Sequence, residues 1–346
     1  MNLLTPFKFI GDIYNFLGTN LLSLLKLFGN VNILEILIMN LISPFNKFFY
    51  IDVEQNNFLL IPDEIRMIII KNIRCITSEI NFFSTCKSFY ERYYYTTVSD
   101  KRLDCETLKQ KKFIQIKKLY INDNTKINDL PFLSHLTHLY MPSNELIRQN
   151  AIYNLHNLLY LDISYNRNIF DISHLTSLTV LNAKNTFCKH NNINGLTNLT
   201  ILDISLNVCQ INIFCLINLK KLYANYNPIE YNSQLLSLTN LTELAIADNR
   251  YLNDIGYLTN LTYLNAQNTI VDQNSINKLC NLRTLDISNN STIRSISHLT
   301  NLTELHIGGF KCKINQNNIE KLYSLTTSNY YANYKITSIS HLTNLK

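Results

Sequence analysis

Tryptophan is absent from this 346-residue chain, and glycine and proline are scarce, at 7 and 6 residues. The remainder, 46% hydrophobic and 16% charged, is ordinary for a folded protein, so composition alone selects no class. No Cys-x-x-Cys occurs among the eight cysteines (positions 75, 86, 105, 188, 209, 215, 280 and 312), and none pairs with a histidine at metal-ligand spacing. A metal centre is therefore not expected. The thiols read as free and mostly buried, in a reducing compartment. A basic stripe is also missing. The net charge of +6 is spread thinly, and the densest run (Lys109, Lys111, Lys112, Lys117, Lys118) reads as a solvated helix end. Nucleic acid is not an expected partner. No uncharged apolar run is long enough to span a bilayer, so a membrane partner is not expected either.

What is present is a recurring stretch. Leu158–Asn166 reads Leu-Leu-Tyr-Leu-Asp-Ile-Ser-Tyr-Asn, or L-x-x-L-x-L-x-x-N. The same frame opens at Ile116, Leu136, Leu158, Leu178, Leu199, Leu219, Leu241, Leu261, Leu282, Leu302 and Leu325, and a last copy begins at Leu345. Successive starts are 20 to 23 residues apart. The fourth position is Leu in ten frames and Ser328 in the eleventh, and the sixth is mostly Ile. Two apolar residues at spacing two place both side chains on one face of a short strand. The ninth position is Asn in eight frames (Asn124 to Asn333), with Thr186, Thr269 and Phe310 replacing it. Inside a stack of coils, turn backbone groups need partners. An Asn amide supplies both donors and acceptors, so a hydrogen-bonded Asn ladder beside a parallel sheet is expected.

The sixth position also alternates: Ile163, Ala183, Ile204, Ala224, Ile246, Ala266, Ile287. The pattern repeats every 41 to 42 residues, as for a duplicated two-coil unit with large and small residues in alternate core layers. The frame resembles the leucine-rich repeat at the short end of its period. The resemblance implies an α/β solenoid with a parallel sheet on the concave face, of about eleven repeats over residues 116–346. The chain stops at Leu342-Thr-Asn-Leu-Lys346, inside a repeat opening. Residues beyond Leu325 are expected to be the least protected of the solenoid, and a truncated end stays open.

Residues 1–50 are strongly apolar but interrupted by Lys8, Asp12, Lys26 and Glu35. Three readings stay open: a helical extension, an interfacial membrane helix, or non-native sequence upstream of a start at Met39. In residues 51–95, Pro62 followed by Asp63 and Glu64 is a helix start. Ile65, Ile69 and Ile73 then form one apolar stripe, and Phe82, Cys86 and Phe89 form another. Ile61-Pro-Asp-Glu-Ile65 and Thr85-Cys-Lys-Ser-Phe89 resemble the two ends of an F-box, with Ile61 for the usual Leu and Thr85 for the usual Val. The resemblance implies docking on a Skp1-like adaptor of a cullin ubiquitin ligase. Ile61, Pro62, Ile65, Ile69, Phe83, Cys86 and Phe89 would form or support the adaptor-binding face. A plain helical cap on the repeat stack is the other reading of this small helical domain. Residues 96–115 read as a linker with a short capping helix.

The third, fifth and seventh frame positions should face away from the core, on the concave sheet. They include Tyr120, His138, Tyr140, Tyr160, Asp162, Asn182, Lys184, Asp203, Lys221, Tyr223, Glu243, Tyr263, Asn265, Asp286, Glu304, His306 and Tyr331. Tyr is an efficient interface residue, with a large apolar body and a polar tip. No catalytic set appears: Asp162, Asp203 and Asp286 are too far apart to act as a pair, and His174, His298 and His341 share one loop phase, Ser-His-Leu-Thr. Asn198, Asn240, Asn260 and Asn301 match a glycosylation acceptor, but they recur because the repeat contains Leu-Thr-Asn-Leu-Thr. The expected function is non-enzymatic: substrate recognition for a Skp1–cullin–F-box ligase, an unknown protein being held on the concave face. A repeat scaffold without a ligase role is the alternative, and a membrane-associated or secreted repeat protein is the third reading. No cofactor is expected, and the location is expected to be intracellular, cytoplasmic or nuclear.

Overall fold

The computed structural model describes residues 97–345, apart from 100–102, 111, 112, 114, 123, 125, 131, 188–192 and 210. Segments 1–50 and 51–95, with Ile61, Pro62, Ile65, Ile69, Phe83, Cys86 and Phe89, lie outside the described residues. Twelve three-residue strands form one sheet: β1 (Thr97–Ser99), β2 (Lys118–Tyr120), β3 (His138–Tyr140), β4 (Tyr160–Asp162), β5 (Val180–Asn182), β6 (Ile201–Asp203), β7 (Lys221–Tyr223), β8 (Glu243–Ala245), β9 (Tyr263–Asn265), β10 (Thr284–Asp286), β11 (Glu304–His306) and β12 (Thr327–Asn329). They pair in chain order, all parallel. Each strand is frame positions three to five. The fourth-position residues face one another in register, as Leu119, Leu139 and Leu161 do. β1 was not legible in the frame. The expected linker with a capping helix over residues 96–115 holds the helix α1 (Cys105–Leu108), and β1 adds a strand before the first frame.

The core follows from the spacing. Position-four leucines from Leu119 to Leu305 and position-six residues from Ile121 to Ile307 are all buried. On the return path, leucines three apart are joined by i→i+3 backbone bonds. Leu155 N donates to Ile152 O at 3.1 Å and Leu158 N to Leu155 O at 3.1 Å. Turns of period three eclipse side chains three apart, so all of them point inward. At the last coil the leucine is replaced by Ser328, and β12 is exposed at both flanks with Ser328 half-buried.

The Asn ladder is in place. Asn249 Oδ1 accepts the N–H groups of Tyr251 and Leu252, both at 2.9 Å. Its Nδ2 donates to the Asn227 and Ile229 carbonyls of the preceding coil at 2.9 and 3.1 Å. Asn144, Asn290 and Asn333 repeat the arrangement. Thr186 and Thr269 instead donate their hydroxyls to Ala183 and Ala266 within their own coils. Phe310 leaves the ladder and is 73% exposed, and Asn333 reaches past it to the Ile307 and Ile314 carbonyls. The first rung, Asn124, donates to Leu103 O at 2.8 Å, which ties the α1 segment to the stack.

The Leu-Thr-Asn-Leu-Thr phrase has its own structural cause. Asn198, Asn240, Asn260 and Asn301 each donate Nδ2 to a carbonyl of the preceding coil, and so do Asn157, Asn218, Asn281 and Asn344. Thr200, Thr242, Thr262 and Thr303 do the same with their hydroxyls. The glycosylation-like triplets are thus two further ladders along the outside of the stack.

Coils alternate in length as well as in core residue. Frames starting at 116, 158, 199, 241 and 282 run 20 residues; those at 136, 178, 219, 261 and 302 run 21 to 23. Four of the longer coils have a helical turn on the back: Gln149–Ile152, Asn232–Gln234, α2 (Gln273–Lys278) and α3 (Gln316–Ile319). In three of them the first helical residue is a glutamine that grips the next coil. Gln273 Oε1 accepts Arg294 N and Ser295 N at 2.7 and 2.9 Å, and its Nε2 donates to Ser295 O at 2.8 Å. Gln149 and Gln316 make the same three bonds. His174, His298 and His341 lie against the carbonyls of Ile152, Ile276 and Ile319, and Tyr257 donates to Asn232 O in the same phase. The shared histidine phase is therefore a bond to the helical turn of the coil before. Among the described residues no helix is long and apolar enough to cross a membrane.

Candidate interaction face

In most strands, among them β3, β4 and β7, the buried leucine is flanked by two half-exposed residues, so positions three and five of successive coils tile one open face of the sheet. Position seven lies in the turn beyond the strand. Ser164 and Ser205 are buried there, and Lys184 and Tyr331 sit on the turn rather than on the sheet.

The face has two characters. Over β2 to β4 it is aromatic. Tyr120 and Tyr140 stack at 4.1 Å with ring planes 9° apart, and Tyr140 and Tyr160 at 4.3 Å. His138 lies 6.0 Å from Tyr160 and is parallel to it. Burial, then the Tyr120 hydroxyl, pushes the Tyr140 pKa up to about 12. Burial and Asp162 raise Tyr160, while burial and Lys118 lower His138. The shifts of Tyr140, Tyr160 and His138 all favour the neutral form, and with Tyr120 these rings make a stacked platform with polar edges.

From β7 to β11 the face is ionic. Glu243 Oε1 is 2.6 Å from Lys221 Nζ, and its Oε2 accepts the Tyr223 hydroxyl at 2.5 Å. Burial alone would raise the Glu243 carboxyl; the Lys221 and Tyr223 hydrogen bonds outweigh it and hold the pKa below 4.5. Burial and the Glu243 bond raise Tyr223 strongly, and burial with Asp286 raises Tyr263. On β11, Glu304 Oε1 meets His306 Nε2 at 2.9 Å.

Three acids of the sheet face have a local role. Asp162, Asp203 and Asp286 accept the N–H of Ser164, Ser205 and Ser288 at 2.8 to 2.9 Å. Asn182, Asn265 and Asn329 do the same in their coils. An Asp or Asn at position five closes the turn after the strand, which accounts for its recurrence. The three acids stand on β4, β6 and β10, never on adjacent strands. Among the described residues no group of His, Cys, Asp and Glu could hold a metal ion. Contrary to the expectation from sequence, the described thiols are not mostly buried. Of the described cysteines only Cys312 is buried; Cys105, Cys209 and Cys215 are half-buried and Cys280 is exposed. The four lie off the inward-facing phases that the leucines and isoleucines fill.

No family model matches the chain, and no curated protein does. Solved structures do. An internalin, InlF, of Listeria monocytogenes aligns at 24% identity with a TM-score of 0.55, over 68% of this chain and 80% of that one. The functional domain of InlJ from the same organism aligns at 22% and 0.56, over 72% of this chain and 66% of that one. A leucine-rich-repeat protein of Leptospira interrogans aligns at 20% and 0.51, over 73% and 86%. The fold is a leucine-rich-repeat solenoid. At these identities the likeness establishes the fold alone. InlJ is described as including a cysteine ladder; in the leucine-rich-repeat solenoid described here, Asn249, Asn290 and their counterparts form the ladder.

Proposed function

We propose that this chain is a non-enzymatic protein-interaction scaffold whose sheet face holds a protein partner. The observation that supports it most is the Tyr120–Tyr140–Tyr160 stack, three large side chains left half-exposed on adjacent strands. Such rings bring contact area at little cost in side-chain freedom, because stacking already fixes them. A photo-crosslinking residue in place of Tyr140, compared with one in place of Tyr323 on the back, tests this in cells. A protein adduct specific to position 140 is expected; equal adducts from both positions would refute the sheet-face reading.

A finer reading makes the scaffold the substrate receptor of a Skp1–cullin–F-box ubiquitin ligase. It rests on the order of segments: the F-box-like Ile61–Ile65 and Thr85–Phe89 stretches precede the repeats. The likeness to internalins concerns the repeats and lends this role nothing, so the scaffold without a ligase role stands first. Capture of a Skp1-like adaptor by the full chain, lost on Pro62→Ala with Ile65→Ala, is the expected result of the receptor reading. No capture by the native chain removes it. An intracellular location, cytoplasmic or nuclear, is part of the proposal. It rests on the free thiols, one of them the exposed Cys280.

A further inference from the structure

We propose a second docking surface, on the edge of the stack where strands turn toward the back, for a partner segment with apolar residues between two acidic ones. The first observation is the row formed by the residue after the ladder Asn or Thr. On five successive coils it reads Arg167, Phe187, Val208, Pro228, Arg250. Phe187 is 46% exposed and Val208 80%, so two exposed apolar residues and the half-buried Pro228 lie between two cations. Parallel coils are about 4.8 Å apart, so the arginines are separated by about 19 Å, the reach of about six extended residues.

The backbone beside the row is a second observation. Position eight is left-handed in every described coil from Ser143 to Ala332. From β8 to β11 it is filled by Asp248, Asn268, Asn289 and Gly309, which adopt that conformation readily. Alongside the row stand Tyr165, Leu206 and Tyr226, at φ of 60°, 62° and 55°, with Asn185 between the first two and Asp248 at the Arg250 end. Bulky side chains are disfavoured there. Tyr226 is also 58% exposed. The edge thus keeps large apolar groups where the backbone favours small polar ones.

Charge identifies the occupant. Arg167 lies over the Phe187 ring at 5.5 Å, and Lys184 over the Tyr165 ring at 5.7 Å. Neither Arg167 nor Arg250 belongs to an ion pair among the described residues, although Glu145 precedes Arg167 in the row. Two cations held in no ion pair among the described residues, at the ends of an apolar strip, suit a peptide carrying Asp or Glu at both ends. This surface is separate from the sheet face and does not depend on it.

The test selects random 12-residue peptides displayed on phage against the immobilised full chain. Enriched sequences should place apolar residues between Asp or Glu. Arg167→Glu with Arg250→Glu should weaken them at least tenfold, and Lys-ended versions should regain binding to that variant. Tyr140→Ala should leave binding unchanged. Val208→Asp is a second probe, and circular dichroism reports whether each variant is folded. No enrichment, or enriched peptides indifferent to the arginine pair, overturns the proposal. So does the arginine-dependent capture of phosphatidylserine vesicles in place of peptides.

Discussion

Short and long coils solve the same packing problem differently. The 20-residue coils before Leu325 carry Ile at position six, as Ile121, Ile163, Ile204, Ile246 and Ile287; the last carries Tyr330. The longer ones carry Met141, Ala183, Ala224, Ala266 and Ile307, and four of them have helical turns on the back. From Ile163 to Ile287 large and small layers therefore alternate, and each long coil with a glutamine at its helical start is bonded to the short coil after it. The repeating unit is the pair, not the coil. Stability in such a stack is a sum over units and their interfaces, so the interface within a pair and the one between pairs need not be equal.

The comparison breaks most sharply at position six. Ile204→Ala in a short coil should cost about 2–5 kcal/mol through the cavity it leaves. Ala266→Ile in a long coil should cost about 1–3 kcal/mol by overpacking. Urea unfolding checks both; if either change is neutral, the layers are not distinct. Next come the clasps. Gln273→Ala strands two backbone N–H groups of the following coil and should cost about 1–3 kcal/mol. Asn232, the shorter residue in the same helical position, reaches Asn253 N only at 3.3 Å. Asn232→Gln should stabilise, and hydrogen exchange at residues 253 and 254 would report it.

Smaller effects are expected at the left-handed turn. Gly309 has φ of 92°, and a Cβ there would meet Asn289 Oδ1 at 2.1 Å. Gly309→Ala should cost about 1–2 kcal/mol, whereas Leu206→Asn should gain about 1 kcal/mol or less. Calorimetric Tm values, rising for one and falling for the other, check the pair. The smallest effect is electrostatic. The folded Glu243 pKa lies below its ordinary 4.5. Its contribution to stability is therefore present above that ordinary value and lost as pH falls through the folded one. Glu243→Gln should flatten the acid limb of stability against pH; an unchanged limb would remove the Lys221–Glu243–Tyr223 network from the account.

Much of the solenoid was legible because its signals are local and repeated. Leu119, Ile121 and Asn124 announce a strand and a turn within six residues, and ten more copies fix their phase. The tyrosines and acids were legible as outward residues, but not their division of labour. Asp162 and Tyr160 look equivalent in the frame, yet Asp162 closes its turn onto Ser164 while Tyr160 joins a stack. The glutamine clasps were harder to see. Gln149, Gln273 and Gln316 fall at different offsets from their frame starts, and only the helical turn brings them into one place. Strand β1 has no frame to announce it; its pairing with β2 defines it.

The amino-acid order by itself determined the coil: which side chains turn inward, where the chain bends, and that neighbours must stack to bury their leucines. These follow from periodicity and local bonding. Tertiary structure decided what lies between coils. Asn249 finds its carbonyls 20 and 22 residues away, Gln273 finds its partners 21 and 22 away, and Tyr120 meets Tyr140 only because the register is zero. The edge row from Arg167 to Arg250 likewise exists only once five coils are superposed. Contacts of that kind depend on pitch and register, which no single repeat encodes.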